Sequence, residues 1–174
     1  MDGTLAGKRI LILAAPDFED LELHYPRLRL MEEGATVVVA GLGERSYTGK
    51  RGYPVKVDAD VDALRPQDFD AVVIPGGWAP DHLRRSRKVL DLVREMDGRG
   101  KPIAAICHAA WVPASAGILR GRTMTSFEAV KDDCIHAGAQ WVDRPVVVDR
   151  NLITSRFPAD LPEFCRALIE ALRR

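Results

Sequence analysis

The amino-acid sequence predicts a single α/β domain over residues 1–174, a mostly parallel sheet with helices on both faces. Three observations carry that reading. Short apolar runs rich in β-branched residues, at positions 8–14, 36–41 and 70–77, have the composition of strands covered on both faces. The segments between them repeat their apolar residues at helical spacing. Strand and helix alternate along the chain, which right-handed crossovers close into one sheet.

Residues 1–7 precede the first strand and are expected to form a flexible N-terminal tail. "KRILILA" (8–14) is the first strand and ends at "APDFED", where the period changes. A helix follows in which Leu21, Tyr25, Leu28 and Met31 recur at helical spacing, with Pro26 as a kink point and Gly34 as the stop. "TVVVAG" is the second strand. "SYTGKRGYPVKVDAD" alternates polar and apolar residues around Gly49 and Gly52, the pattern of a hairpin or edge excursion. "DAVVIPGG" is a third buried strand, ended by Pro-Gly-Gly. Over residues 83–96, Val89, Leu92, Val93 and Met96 mark a helix, which "DGRGKP" closes before a strand at residues 103–106. Beyond Cys107 come a short helix to Gly117, a turn "RGRT" and a helix through "FEAVKDDCIHAG". The strands "PVVVD" and "NLITS" precede a terminal helix carrying Leu161, Phe164, Leu168 and Leu172.

Composition excludes several classes of function. Lysine plus arginine (25) equals aspartate plus glutamate (25), so no net field draws the chain toward nucleic acid or an anionic membrane. The start of the chain has no basic region followed by a long apolar run, and no stretch is long enough to span a bilayer. The three cysteines, Cys107, Cys134 and Cys165, have neither CxxC nor metal-type spacing and fit a reducing cytoplasm. Neither a metal nor another cofactor is expected. A nucleotide is disfavoured too, because the loop after the first strand carries Asp17, Glu19, Asp20 and Glu22, which repel phosphate. "GLGERS" at Gly41 runs into the hairpin rather than a helix.

In sheets of this kind ligands bind beyond the carboxyl ends of the strands, where the strand order reverses. Three segments arrive there: "APDFEDLE", "PGGWAPD" and "CHAAW". Cys107 ends an apolar strand and is read either as a small buried hydrophobe or, on a tight strand-to-helix turn, as an exposed nucleophile facing the positive end of a helix. Lowering a thiol pKa by about three units takes roughly 4 kcal/mol of differential stabilisation, more than a helix end supplies. His108 is one candidate helper, although neighbours at a helix start do not ordinarily face each other. Glu22 is the other: a protonated carboxyl donates a hydrogen bond to a thiolate, whereas an ionised one raises the thiol pKa. The N–H groups of Gly77 and His108 are candidate oxyanion donors. Cys134 and Cys165 are assigned structural places on helices. His24 and His136 receive no role.

The segments "FEDLELHYP", "TGKRGYPVKVD", "FDAVVIPGGWAPDHLR", "GKPIAAICHAAW", "AGILRGRTMTS" and the stretch from "VKDDCIHAG" to "LPEFC" resemble, in order, the PfpI-type intracellular proteases and stress proteins. These lie in the superfamily of the parkinsonism-associated deglycase. The resemblance runs from Lys8 to the end of the chain. It implies a flavodoxin-like three-layer sandwich of the class I glutamine amidotransferase type, with a nucleophile elbow at Cys107, assembled as homodimers or hexamers. It further implies that Glu22 contacts the sulfur, that His108 is the dyad histidine, and that Asp81 of a neighbouring subunit supplies a third group. Two positions depart from the pattern. Ala109 and Ala110 stand where Gly-Pro is usual, and Asp81 stands where glutamate is commoner. The family implies either a cysteine-dependent enzyme acting on small carbonyl or peptide substrates, as a peptidase or a glyoxalase or deglycase, or a redox sensor or holdase chaperone whose Cys107 is oxidised without turnover.

Overall fold

The computed structural model describes residues 3–174, and the element order follows the alternation read from the sequence. It runs β1 (Arg9–Leu13), α1 (Asp20–Glu32), β2 (Thr36–Gly41), β3 (Ser46–Thr48), β4 (Pro54–Lys56), β5 (Ala59–Asp60), β6 (Ala71–Ile74), α2 (Ala79–Leu83), α3 (Arg87–Gly98) and β7 (Ile103–Ile106). There follow α4 (Trp111–Ala116), β8 (Thr123–Met124), α5 (Lys131–His136), β9 (Gln140–Trp141), β10 (Val146–Asp149), β11 (Leu152–Ser155) and α6 (Leu161–Leu172).

Seven strands form the central sheet in the order β10-β11-β7-β6-β1-β2-β5, and every pair is parallel except β10 with β11. The chain leaves β1 toward β2 on one side and returns to β6 on the other, so the order reverses at the β1–β6 pair. Apart from Arg9 at the start of β1, strands β1, β6 and β7 are buried along their length, and this explains why they read as continuous apolar runs rather than alternations. Helices α1 and α6 pack together, and α3 packs with α4, which gives the layers of the predicted sandwich. The β3–β4 hairpin stands apart as its own antiparallel pair.

Three local features differ from the sequence reading. Residues 3–7 of the expected tail form a turn in which Leu5 is 1% exposed and its N–H donates to Glu33 O at 2.8 Å, so this part is docked on the end of α1. The helix expected over 83–96 is divided: Leu83 closes α2, and Ser86 caps α3 by accepting from Val89 N. On α1, the four residues that announced the helix face outward. Leu21 is 57% and Leu28 59% exposed, and Tyr25 and Met31 are exposed as well. The buried stripe is Glu22, Leu23, Pro26 and Leu30. Helical spacing identifies a helix but does not say which of two apolar stripes meets the core. The terminal helix conforms, with Leu161, Phe164, Leu168 and Leu172 all buried.

Candidate active site

The three predicted segments meet beyond the carboxyl ends of β1, β6 and β7. Cys107 follows β7 with φ +65°, a left-handed conformation that a non-glycine residue adopts only when its surroundings impose it. This is the elbow. Residues Cys107–Ala110 make one 3-10 turn that leads into α4, with Ala109 and Ala110 buried, so the turn closes without the Gly-Pro pair.

The elbow also settles the geometry of the neighbouring histidine. His108 Nδ1 lies 3.2 Å from Cys107 Sγ, within hydrogen-bond reach for sulfur. The ordinary rule that adjacent residues diverge assumes a regular helix, and Cys107 is not in a helical conformation. His108 is partly buried and stacks on Phe127 with centroids 5.1 Å apart. Burial, with a smaller contribution from the charge of Lys50, lowers its pKa below the usual 6.5, so the imidazole is neutral at neutral pH.

Glu22 lies on the first turn of α1 and is fully buried. Its Oε2 accepts from Gly76 N at 2.7 Å, while Oε1 is buried without a hydrogen-bond partner of ordinary geometry. Burial and the charge of Glu19 raise its pKa to about 8, against the opposing effects of the Gly76 N–H, the Cys107 thiol and Lys50. Cys107 is pushed up as well, first by burial and then by the charge of Glu22, while the N–H groups of His108 and Gly77 favour its thiolate. Two negative charges do not coexist in this space, so ionisation of either group makes the other hold its own proton more tightly. At neutral pH the carboxyl is predominantly protonated, which removes the like charge and leaves a donor beside the sulfur.

Glycine is required where β6 ends. A Cβ at Gly76 would run into Glu22 Oε2 and Cys107 Cβ, and one at Gly77, where φ is +72°, into the backbone of Asp17 and Glu19. The Gly77 N–H is one of the groups that favour the Cys107 thiolate.

Cys107, His108, Glu22 and Gly77 therefore lie together, as the sequence predicts, in a cavity of about 430 Å³. Asp81 does not line it. That residue is exposed on α2 and pairs with Arg85 at 3.3 Å. Sequence reasoning missed Lys50, Phe127 and Phe157, which also line the cavity. Phe157 follows β11, a strand end like the others and open to the same inference. Lys50 arrives from the β3–β4 hairpin, which the Asp20 carboxylate holds by accepting from Arg51 N and Tyr53 N, each at 2.9 Å. Cys134 and Cys165 are buried on α5 and α6, with thiols raised to about 11 and about 12 by burial, as structural cysteines should be. No cluster of metal-binding side chains occurs among the described residues, and no helix among them is long and apolar enough to cross a membrane.

A model of the DJ-1/PfpI family matches residues 8–171. A deglycase of Pyrococcus horikoshii is 48% identical over 165 residues, which are 95% of this chain and 99% of that one. Among solved structures, a two-domain protein of Anabaena variabilis with DJ-1/ThiJ/PfpI-like and ferritin-like domains matches with a TM-score of 0.92 and 41% identity. The match takes in 95% of this chain and 48% of that longer one. DJ-1beta of Drosophila melanogaster matches with a TM-score of 0.89 and 34% identity over 95% of this chain and 90% of its own. Matched by the family model over nearly its whole length and 48% identical to a relative over 95% of that length, the chain belongs to the DJ-1/PfpI family.

Proposed function

We propose that this chain is a cysteine-dependent stress-response enzyme that acts on small reactive carbonyl compounds, as a glyoxalase or deglycase. One observation carries the reading: an elbow sulfur meets two backbone N–H donors, a neutral imidazole and a protonated carboxyl in one cavity. The name of the 48%-identical relative, a deglycase, supports the same class of reaction. The neutral His108 imidazole takes the Cys107 thiol proton as the sulfur attacks the carbonyl carbon, forming a C–S bond as the C=O π pair moves to oxygen. The N–H groups of Gly77 and His108 receive that oxyanion, and Glu22 or His108 returns the proton. For a 2-oxoaldehyde, transfer of the C1 hydrogen as a proton to C2 and hydrolysis of the resulting thioester give a 2-hydroxy acid, so one water is consumed and no redox partner is needed.

The experiment is turnover of methylglyoxal by the wild type and by Cys107→Ser. Loss of turnover with an unchanged thermal midpoint supports the proposal, and undiminished activity overturns it. Peptide hydrolysis by the same sulfur is tested in parallel with a small peptide amide. We place the protein in the cytoplasm, acting without a cofactor. It is further proposed to be a homo-oligomer, dimer or hexamer, in which Asp81 of a neighbouring subunit completes the site.

A second reading rests on the protonated Glu22. A carboxyl donor beside the sulfur also suits sulfenic or sulfinic acid, as in a redox sensor or holdase. Intact mass after mild peroxide tests it: absence of added oxygen at Cys107 removes this reading.

A further inference from the structure

Two tryptophans flank the site and take no part in the chemistry above. Trp78 directly follows the Gly76–Gly77 pair, lines the cavity with Cys107, and is 57% exposed. Trp111 directly follows the 3-10 turn that carries Cys107 and His108. Their rings stack with centroids 6.0 Å apart and an angle of 28° between planes. A large indole left exposed is ordinarily mobile, but this one is backed. The Trp78 N–H donates to Asp17 O at 2.8 Å, fixing its backbone to the loop after β1. Trp111 is held in turn, because its Nε1 donates to Asp133 Oδ2 at 2.8 Å and the Arg84 guanidinium lies 5.3 Å from its ring centroid. Arg84 is itself tied to Ser115 Oγ at 2.9 Å. The protein thus spends several interactions on keeping one flat apolar surface in register with the sulfur.

His108 meets both tryptophans edge-on and stacks on Phe127, and Phe157 adds a further ring to the lining. The volume of about 430 Å³ falls in the range of roughly 300–1,000 Å³ that holds drug-sized molecules, far more than a three-carbon aldehyde fills. The charges at the rim are mixed. Lys50 opposes a cationic group and Asp17 and Glu19 an anionic one, so an uncharged ring suits the cavity best.

We propose that Trp78 is a specificity-determining residue, positioned by Trp111, whose indole face receives a planar aromatic group joined to the reacting carbonyl. Aryl 2-oxoaldehydes are then preferred to aliphatic ones. This rests on the carbonyl-acting function proposed above and adds the substrate class. Offset stacking of rings contributes beyond simple burial.

The test compares kcat/KM for phenylglyoxal and methylglyoxal in the wild type, Trp78→Leu and Trp78→Phe. The ratio of the two values falls about 10-fold in Trp78→Leu and recovers in part in Trp78→Phe, which restores a smaller ring. An unchanged ratio in both variants overturns the proposal. A readout without turnover separates this claim from the function on which it rests. Acetophenone, which has the ring but no aldehyde, protects wild-type Cys107 from iodoacetamide better than butanone does, and the difference disappears in Trp78→Leu. Equal protection by the two ketones overturns the ring-binding claim, whereas the expected protection without aldehyde turnover overturns only the proposed function.

Discussion

His108 Nδ1 stands 3.2 Å from Cys107 Sγ although the two residues are neighbours in the chain, and the φ of +65° at Cys107 accompanies this approach. A side chain at such a φ strains the backbone by about 1–2 kcal/mol, a cost glycine avoids. Cys107→Gly is therefore expected to be about 1 kcal/mol more stable than Cys107→Ala, since neither has the sulfur and only alanine keeps the strained Cβ. Urea unfolding of the two variants measures it. Equal midpoints would show that the elbow is unstrained.

Glu22 sets the pH behaviour of the sulfur. With its pKa at about 8, the carboxyl is mainly protonated at pH 7 and becomes charged above pH 8. Glu22→Gln is expected to change the rate of Cys107 alkylation by iodoacetamide less than about 3-fold at pH 7, because one neutral group replaces another. Above pH 8.5 the wild-type thiol should ionise less readily than the variant's, since charged Glu22 opposes it. A large gain in the variant at pH 7 would show that the carboxyl is already ionised there.

The same substitution changes stability, with a sign the raised pKa dictates. The folded chain holds the Glu22 proton more tightly than the unfolded chain, whose carboxyl titrates near the ordinary 4.5. This stabilisation is complete below pH 4.5 and is lost as pH rises through about 8. Glutamine never ionises and does not lose it. Glu22→Gln should therefore exceed the wild type by roughly 2–4 kcal/mol at pH 9 and not at pH 4.5, as read from urea midpoints across that range.

Much of this site was legible because its physics is local. A strand that ends in Pro-Gly-Gly and another that ends in Cys-His must deliver those residues to one edge of a parallel sheet, and the order reversal at β1–β6 lies there. Glu22 was legible through its place on the segment after β1, whereas its charge state follows from a burial that the sequence does not announce. The approach of His108 was not, because it depends on a backbone angle that no residue type at position 107 announces. Lys50 and Phe127 were hidden because each reaches the cavity from an element outside the central sheet, where chain order no longer dictates position.

Asp20 is the link between that outlying hairpin and the site. Its carboxylate accepts from Arg51 N and Tyr53 N, and Lys50 N donates to Phe18 O at 2.9 Å, so the tip bearing Lys50 is held at three points. Asp20→Ala leaves two N–H groups without their acceptor and is expected to cost about 1–3 kcal/mol of stability. As the tip loosens, KM should rise more than kcat falls, because Lys50 lines the cavity without touching the sulfur. A fall in kcat at constant KM would assign the hairpin to the chemistry instead.

Helix α1 carries two apolar stripes, and two substitutions separate their roles. Leu23 belongs to the buried stripe, and Leu23→Ala should cost about 2–5 kcal/mol through the cavity it leaves, whatever the protein concentration. Leu28 belongs to the outward stripe with Leu21, Tyr25 and Met31, a contiguous apolar face of the kind that second copies cover. A charge there meets no core atoms, so Leu28→Glu should leave the isolated chain as stable as before. With the proposed homo-oligomer built on this stripe, the substitution should instead lower the mass measured by light scattering toward that of one chain and make that mass depend on concentration. If the mass is unchanged, the outward stripe of α1 is not the interface of the proposed homo-oligomer.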